Sequence, residues 1–243
     1  MESRSSPSEF LLFENLIPPI LSTIAGLVDV IGFLTLKLFT AHITGNLVLI
    51  AALAVGRESR LDQLLAIPAF VVAVSVVWLL ARGSQRRGPS LGRLLLFVQF
   101  VLLACVLVVS VLWHPSGRPR SFVLNLTAMI AVAGMATQYS FLSLVMPGAP
   151  STAVMTSNLT NVTIALLDTL HGKPSIEKKY KPLHKTLPVL AGFLIGCAVG
   201  AIAVFEFGDW AWSVPVVLAA FVTTILPKGT RRSDGFRNED QPL

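Results

Sequence analysis

Ala41-His42-Ile43-Thr44-Gly45-Asn46-Leu47 is the stretch that decides the fold, because a worn copy of it, Val154-Met155-Thr156-Ser157-Asn158-Leu159, returns in the second half. The flanks repeat as well. Gly26 stands upstream of the first copy as Gly134 does of the second, and Phe33-Leu34 answers Phe141-Leu142 at the same offset. Downstream, Pro68 and Pro188 each open an apolar run. Small and polar residues thus interrupt apolar sequence at matching places in both halves, the pattern of transporter folds that break their helices around a site near the bilayer midplane.

Composition places those interruptions inside a membrane. The chain is 53% hydrophobic and only 13% charged, with mean hydropathy +0.73, whereas soluble domains are about a quarter charged. The net charge of +6 comes from Lys and Arg gathered in the connections, which reads as topology and contact with anionic lipid, not as nucleic-acid binding. Cys105 and Cys197 both fall in apolar runs, so neither a disulfide nor a metal pair is expected. A cleaved signal peptide does not fit: only Arg4 precedes the first apolar run, Glu9 and Glu14 intervene, and Asp29 sits in its middle.

The expected architecture is all-α, a polytopic helical bundle in one membrane domain over residues 17–227. Residues 1–16 form a tail with an interfacial helix, and 228–243 a disordered basic tail. Repeat one covers 17–113 and repeat two 121–227, each with four segments. In repeat one these run from Ile17 to Leu38, Ile43 to Gly56, Leu64 to Ala81 and Leu94 to Trp113, with Pro18-Pro19 at the first helix start. In repeat two they run from Phe122 to Met146, Thr152 to Leu170, Leu187 to Phe205 and Ala211 to Leu226. Gly192, Gly196 and Gly200 make a small-residue ladder suited to close helix packing.

The second segment decides the topology. Some fourteen residues make a helix of about 21 Å, too short for a hydrocarbon core of about 30 Å, and the sixth segment is too polar to face lipid on all sides. The favoured arrangement gives each repeat three full spans plus one short broken or re-entrant helix, with the repeats inverted. The alternative gives four spans per repeat, in parallel. Positive charge does not choose: the four arginines of residues 82–93 trade against Arg57, Arg60, Arg118 and Arg120. Either way both termini are cytoplasmic.

Gly26-Leu27-Val28-Asp29-Val30-Ile31-Gly32-Phe33, the Ala41 to Asn46 block and Thr156-Ser157-Asn158-Leu159 together resemble the YoaK-like family of bacterial multi-pass membrane proteins, a family of unknown function. The resemblance covers nearly the whole chain. It implies an integral membrane protein of the bacterial inner membrane and supplies no activity, so any mechanism has to come from the residues.

Asp29 is the one acid deep inside an expected span. A charge there costs several kcal/mol unless it faces a polar interior. With no Lys or Arg near mid-span, it is expected to lack a salt-bridge partner and to take a proton or a cation; the plainer reading is a structural hydrogen bond between helices. His42 is a proton-responsive neighbour for Asp29 if the chain folds back, or a surface cap if it does not. Thr44, Gly45 and Asn46, with Thr156, Ser157 and Asn158, suit a broken-helix site, since Gly or Ser permits irregular backbone while Thr and Asn cap N–H groups or hold a ligand. Their alternative is capping and close packing alone. Gln138 is the polar counterpart of Asp29 in repeat two, or an interhelical hydrogen bond.

No nucleophile elbow, paired-His metal motif or phosphate loop occurs, and His114, His171 and His184 are isolated in connections. An enzyme, a cofactor and a metal are therefore not expected. Three function classes remain. The favoured one is a secondary transporter or channel-like carrier of a small solute or ion. The second is a non-transporting scaffold or partner subunit whose polar residues hold helices together, and the third, least favoured, is an intramembrane enzyme.

Overall fold

A computed structural model describes residues 7–55, 61–85, 91–114, 122–171 and 183–225. The described residues form eight α-helices: α1 Pro7–Leu36, α2 Ile43–Val55, α3 Leu61–Gln85, α4 Leu91–Trp113, α5 Phe122–Val145, α6 Met155–Leu170, α7 Leu183–Phe207 and α8 Ser213–Ile225. A short 3-10 helix, Gly208–Trp212, joins the last two. Helix is what apolar sequence in lipid must form, because each backbone N–H and C=O then finds its partner within its own segment. Among the described residues, five stretches are long and apolar enough to cross a bilayer: Asn15–Leu36, Gln63–Arg82, Leu91–Trp113, Phe122–Val145 and Leu183–Ile225. The chain is a multi-pass membrane protein.

Two expectations need correcting or placing. Pro18 and Pro19 do not start the first helix; they lie inside α1, which begins at Pro7 and continues without a break. Proline in a helix interior gives up an N–H bond, and neighbouring helices tolerate this where they supply packing. The basic loops with Arg57, Arg60, Arg86, Arg87, Arg118, Arg120 and Lys173 to Lys181, and the tail from residue 228, lie outside the described residues.

The tightest packing joins α1 to α7. Gly192, Gly196, Gly200 and Gly26 line the contact. A Cβ on Gly192 would stand 2.5 Å from the Pro19 carbonyl oxygen; one on Gly196 would run into the Thr23 carbonyl, and one on Gly26 into the Phe193 carbonyl. The partners advance together along both chains (Gly192 with Pro19, Gly196 with Thr23, Gly200 with Leu27), so α1 and α7 run in the same direction. The Ser22 hydroxyl adds a 2.6 Å bond to the Val189 carbonyl.

Other contacts fix the remaining directions. Gln99 meets Gln138, and Leu103 lies against Gly134, so α4 and α5 are antiparallel. Gln138, in the second half of α5, donates to the carbonyl of Leu21, close to the start of the α1 span, at 2.9 Å and ties these two helices together. Gln63 near the start of α3 donates to the Lys37 carbonyl just past the end of α1 at 3.0 Å. The end of α1 and the start of α3 therefore share one end of the bundle. Gly208, at φ +55°, closes α7. Asp209 then pairs with His114 beyond the last turn of α4 at 2.9 Å, and α8 packs back along α4.

Candidate functional site

After Leu36 the chain turns back into the bundle. Lys37 takes φ 63°, a left-handed residue of the kind that ends helices, and its ammonium donates to the Leu34 carbonyl at 2.9 Å. Residues 38–42 then descend along α1. The Thr40 hydroxyl donates to the Val28 carbonyl at 2.9 Å, its methyl resting where Gly32 has no side chain. This contact sets the next residues beside Asp29.

Asp29 is the centre of the break. Its Oδ1 accepts the Ala41 N–H at 2.7 Å and the His42 N–H at 3.3 Å, and its Oδ2 pairs with His42 Nδ1. Two backbone donors on one oxygen and an imidazole on the other suit an ionised carboxylate. The expectation that Asp29 lacks a partner is therefore wrong. The partner is the conditional neighbour named from the sequence, His42, which lies thirteen residues on and arrives because the chain folds back. The Asp29 side chain is 6% exposed and that of His42 27%, so the imidazole forms the open side of the pair. Its ring meets Phe193 of α7 edge-on, centroids 5.3 Å apart.

The other half of the molecule holds the same peptide from behind. Tyr139 of α5 donates its hydroxyl to the Ala41 carbonyl at 2.9 Å, so the Ala41 backbone is clamped between Asp29 and Tyr139. Next to Tyr139, fully buried Gln138 accepts from Gln99 Nε2 at 2.7 Å and donates to the Leu21 carbonyl. One turn of α5 thus ties α1, α4 and the break together. Gln138 does not touch Asp29; it joins helices.

Asn46 and Asn158 have matching local work. Asn46 donates to the Phe39 carbonyl at 2.7 Å and accepts the Phe39 N–H at 2.9 Å. Asn158 donates to the Ser151 carbonyl at 2.7 Å, again seven residues back. Both are buried, and each closes the connection in front of its own helix. Thr44, Thr156 and Ser157 lie exposed on the first turns of α2 and α6. Gly45 lies under Phe39, where a Cβ would stand 2.9 Å from the ring; in the second copy Ser151 replaces Phe39, and Ser157 replaces Gly45. Asp29 and His42 are brought together, then, whereas the two asparagines serve separate connections.

The family described as "Protein of unknown function (DUF1275)" matches residues 19–225, nearly the whole membrane domain. The chain belongs to that family. It is 28% identical over 222 residues to the UPF0700 transmembrane protein YoaK of Bacillus subtilis (strain 168), covering 85% of this chain and 91% of that protein. No solved structure matches. The DUF1275 match thus encloses both breaks, from Pro19 at the α1–α7 contact to Ile225 at the end of α8.

Sequence reasoning missed three contributors to this DUF1275 site. Tyr139, Thr40 and Gln63 all bond to backbone carbonyls of distant residues, and no spacing announces such partners. Gln99 and Gln138 did leave a signal, each being an amide in an otherwise apolar span.

Proposed function

We propose that this DUF1275 protein is a secondary carrier of a small solute or ion and not an enzyme, working from the break that holds Asp29 and His42. The observation that carries the reading is that pair: an acid and an imidazole on one accessible break, inside a bundle whose other mid-span groups are neutral. An ionisable residue at membrane depth is costly and marks ion or substrate pathways more often than it marks packing.

The same reading takes the two halves as inverted, since carriers alternate by moving one such half against the other. Packing partners exchange when the halves are swapped: α1 lies on α7 as α5 lies on α3, and α5 on α4 as α1 on α8. The helices that would sit on the two-fold axis, α1 with α5 and α4 with α8, pack on each other. The Gln138–Leu21 contact, the Gln63–Lys37 tie and the matching seven-residue asparagine closures agree with it. In this arrangement α2 and α6 are re-entrant, six helices cross, and both termini are cytoplasmic, with residues 82–93 and 173–185 on that side.

A scaffold is the second reading, favoured by one observation. Asn46, Asn158 and Gln138 all have backbone partners within the chain, as helix glue would. Solute contact by Thr44, Gly45, Asn46, Thr156, Ser157 and Asn158 then narrows to the exposed Thr44, Thr156 and Ser157. A thermal-shift screen of the purified protein against small solutes finds the ligand, and uptake into reconstituted vesicles tests the carrier. Asp29→Asn is expected to abolish accumulation against a gradient while leaving part of the exchange. Accumulation equal to the parent's makes Asp29 structural and this reading wrong.

A further inference from the structure

Asp29 and His42 are not equivalent members of their pair. Oδ1 is fixed by two backbone N–H groups and cannot be released without unfolding the connection. Oδ2 is held by His42 Nδ1 alone, a side-chain contact on the more exposed side of the pair. A buried carboxylate without a cation is unfavourable, so whatever frees Oδ2 from a protonated imidazole must replace its charge.

The surroundings offer no other replacement. The titratable groups around the pair are Tyr139 on α5 and Cys197 on α7, the helix that Gly26 touches; both are neutral acids in ordinary water. From α3 the nearest contribution to the connection is the amide of Gln63, and α2 carries no titratable side chain. The described Lys and Arg residues, Lys37, Arg82, Arg93 and Lys185, all stand at helix ends. Among the described residues no lysine or arginine pairs with Asp29, so apart from His42 itself no cationic side chain there receives an anion.

We infer that the ligand of this site is a monovalent cation, a metal ion or a small ammonium, which takes Asp29 Oδ2 in exchange for the proton of His42. Charge balances in both states: carboxylate with imidazolium, or carboxylate with bound cation and neutral imidazole, the proton having left to water through the exposed ring edge. One site per chain follows from the second half, where Thr137 stands at Asp29's place in the Gly26/Gly134 register and Val154 at that of His42 in the Asn46/Asn158 register. The Thr137 hydroxyl donates to the Ala133 carbonyl of its own helix. The inference rests on the carrier reading of the same site and gives it a substrate class, cation against proton.

Purified protein in weakly buffered detergent, titrated with sodium, potassium or methylammonium chloride beside a pH-indicating dye, tests the exchange without transport. Binding of at least one of these cations is expected, with about one proton released per cation bound and an apparent Kd about tenfold weaker for each pH unit lowered. His42→Gln should bind the cation with no proton release and a flat pH dependence, and Asp29→Asn should bind none. The parent's own pH dependence keeps the test valid if either variant fails to fold. Binding without proton release, or no binding by any of the three cations, overturns the exchange. The first outcome leaves the carrier reading standing, and failed accumulation in vesicles despite proton-linked binding would overturn the carrier reading alone.

Discussion

Asp29 was legible in the sequence as the lone acid of a span, and His42 as its conditional neighbour. Their pairing was not, because it depends on Lys37 reversing the chain and Thr40 docking on Val28. Asn46 shows the same limit. Its chemistry suggests a ligand contact, yet both ends of its amide close on Phe39. Asn46→Ala should therefore destabilise the protein by about 1–3 kcal/mol, since it strands a buried N–H and C=O, and thermal or denaturant unfolding in detergent reads the loss. The Gly45–Phe39 contact makes a second prediction. Gly45→Ser alone should cost about 1–3 kcal/mol by overpacking, and should cost clearly less in a Phe39→Ser background, with a coupling of at least about 0.5 kcal/mol in the double-mutant cycle. Additive effects would mean that the paired change in the second copy is accidental.

Seven of the eight helices start within about four residues of where apolar runs and turn residues put them, because in lipid the length of an apolar run fixes the element. The exception is α1, which begins at Pro7 and not at Ile17, with Pro18 and Pro19 inside it. What the runs do not carry is which helices meet. The glycine ladder of α7 announced a close neighbour without naming α1, and Gly26 was visible only as a marker of the repeat. At this contact Gly196→Leu has no room, since even a Cβ meets the Thr23 carbonyl. The variant is expected to lose folded yield or to melt several degrees lower, whereas Leu194→Ala on the exposed side of the same helix should change little. Equal effects of the two substitutions would contradict the α1–α7 packing.

For the whole molecule, a repeated block in the sequence suggested two halves without fixing their relative orientation, because loop charge weighs equally in both arrangements. Contacts such as Gln138 to Leu21 and Gln63 to Lys37 bear on it where loop charge does not, and the inverted arrangement proposed above rests on them. Inverted halves place residues 60 and 118 on the non-cytoplasmic side. Arg60→Cys and Arg118→Cys should then react with a membrane-impermeant thiol reagent added from outside, and labelling of both only from the cytoplasm supports parallel halves instead. The central claim is that the first break serves a carrier, so it must be reached from each side of the membrane in turn. Thr44, exposed on the first turn after His42, reports this as Thr44→Cys once free Cys105 and Cys197 are replaced by Ser. Labelled with an impermeant reagent in right-side-out and inverted vesicles, with and without the cation found by titration, it is predicted to react from both sides and to shift its preference when the cation is added. Reaction from one side only, unchanged by the cation, would contradict the account.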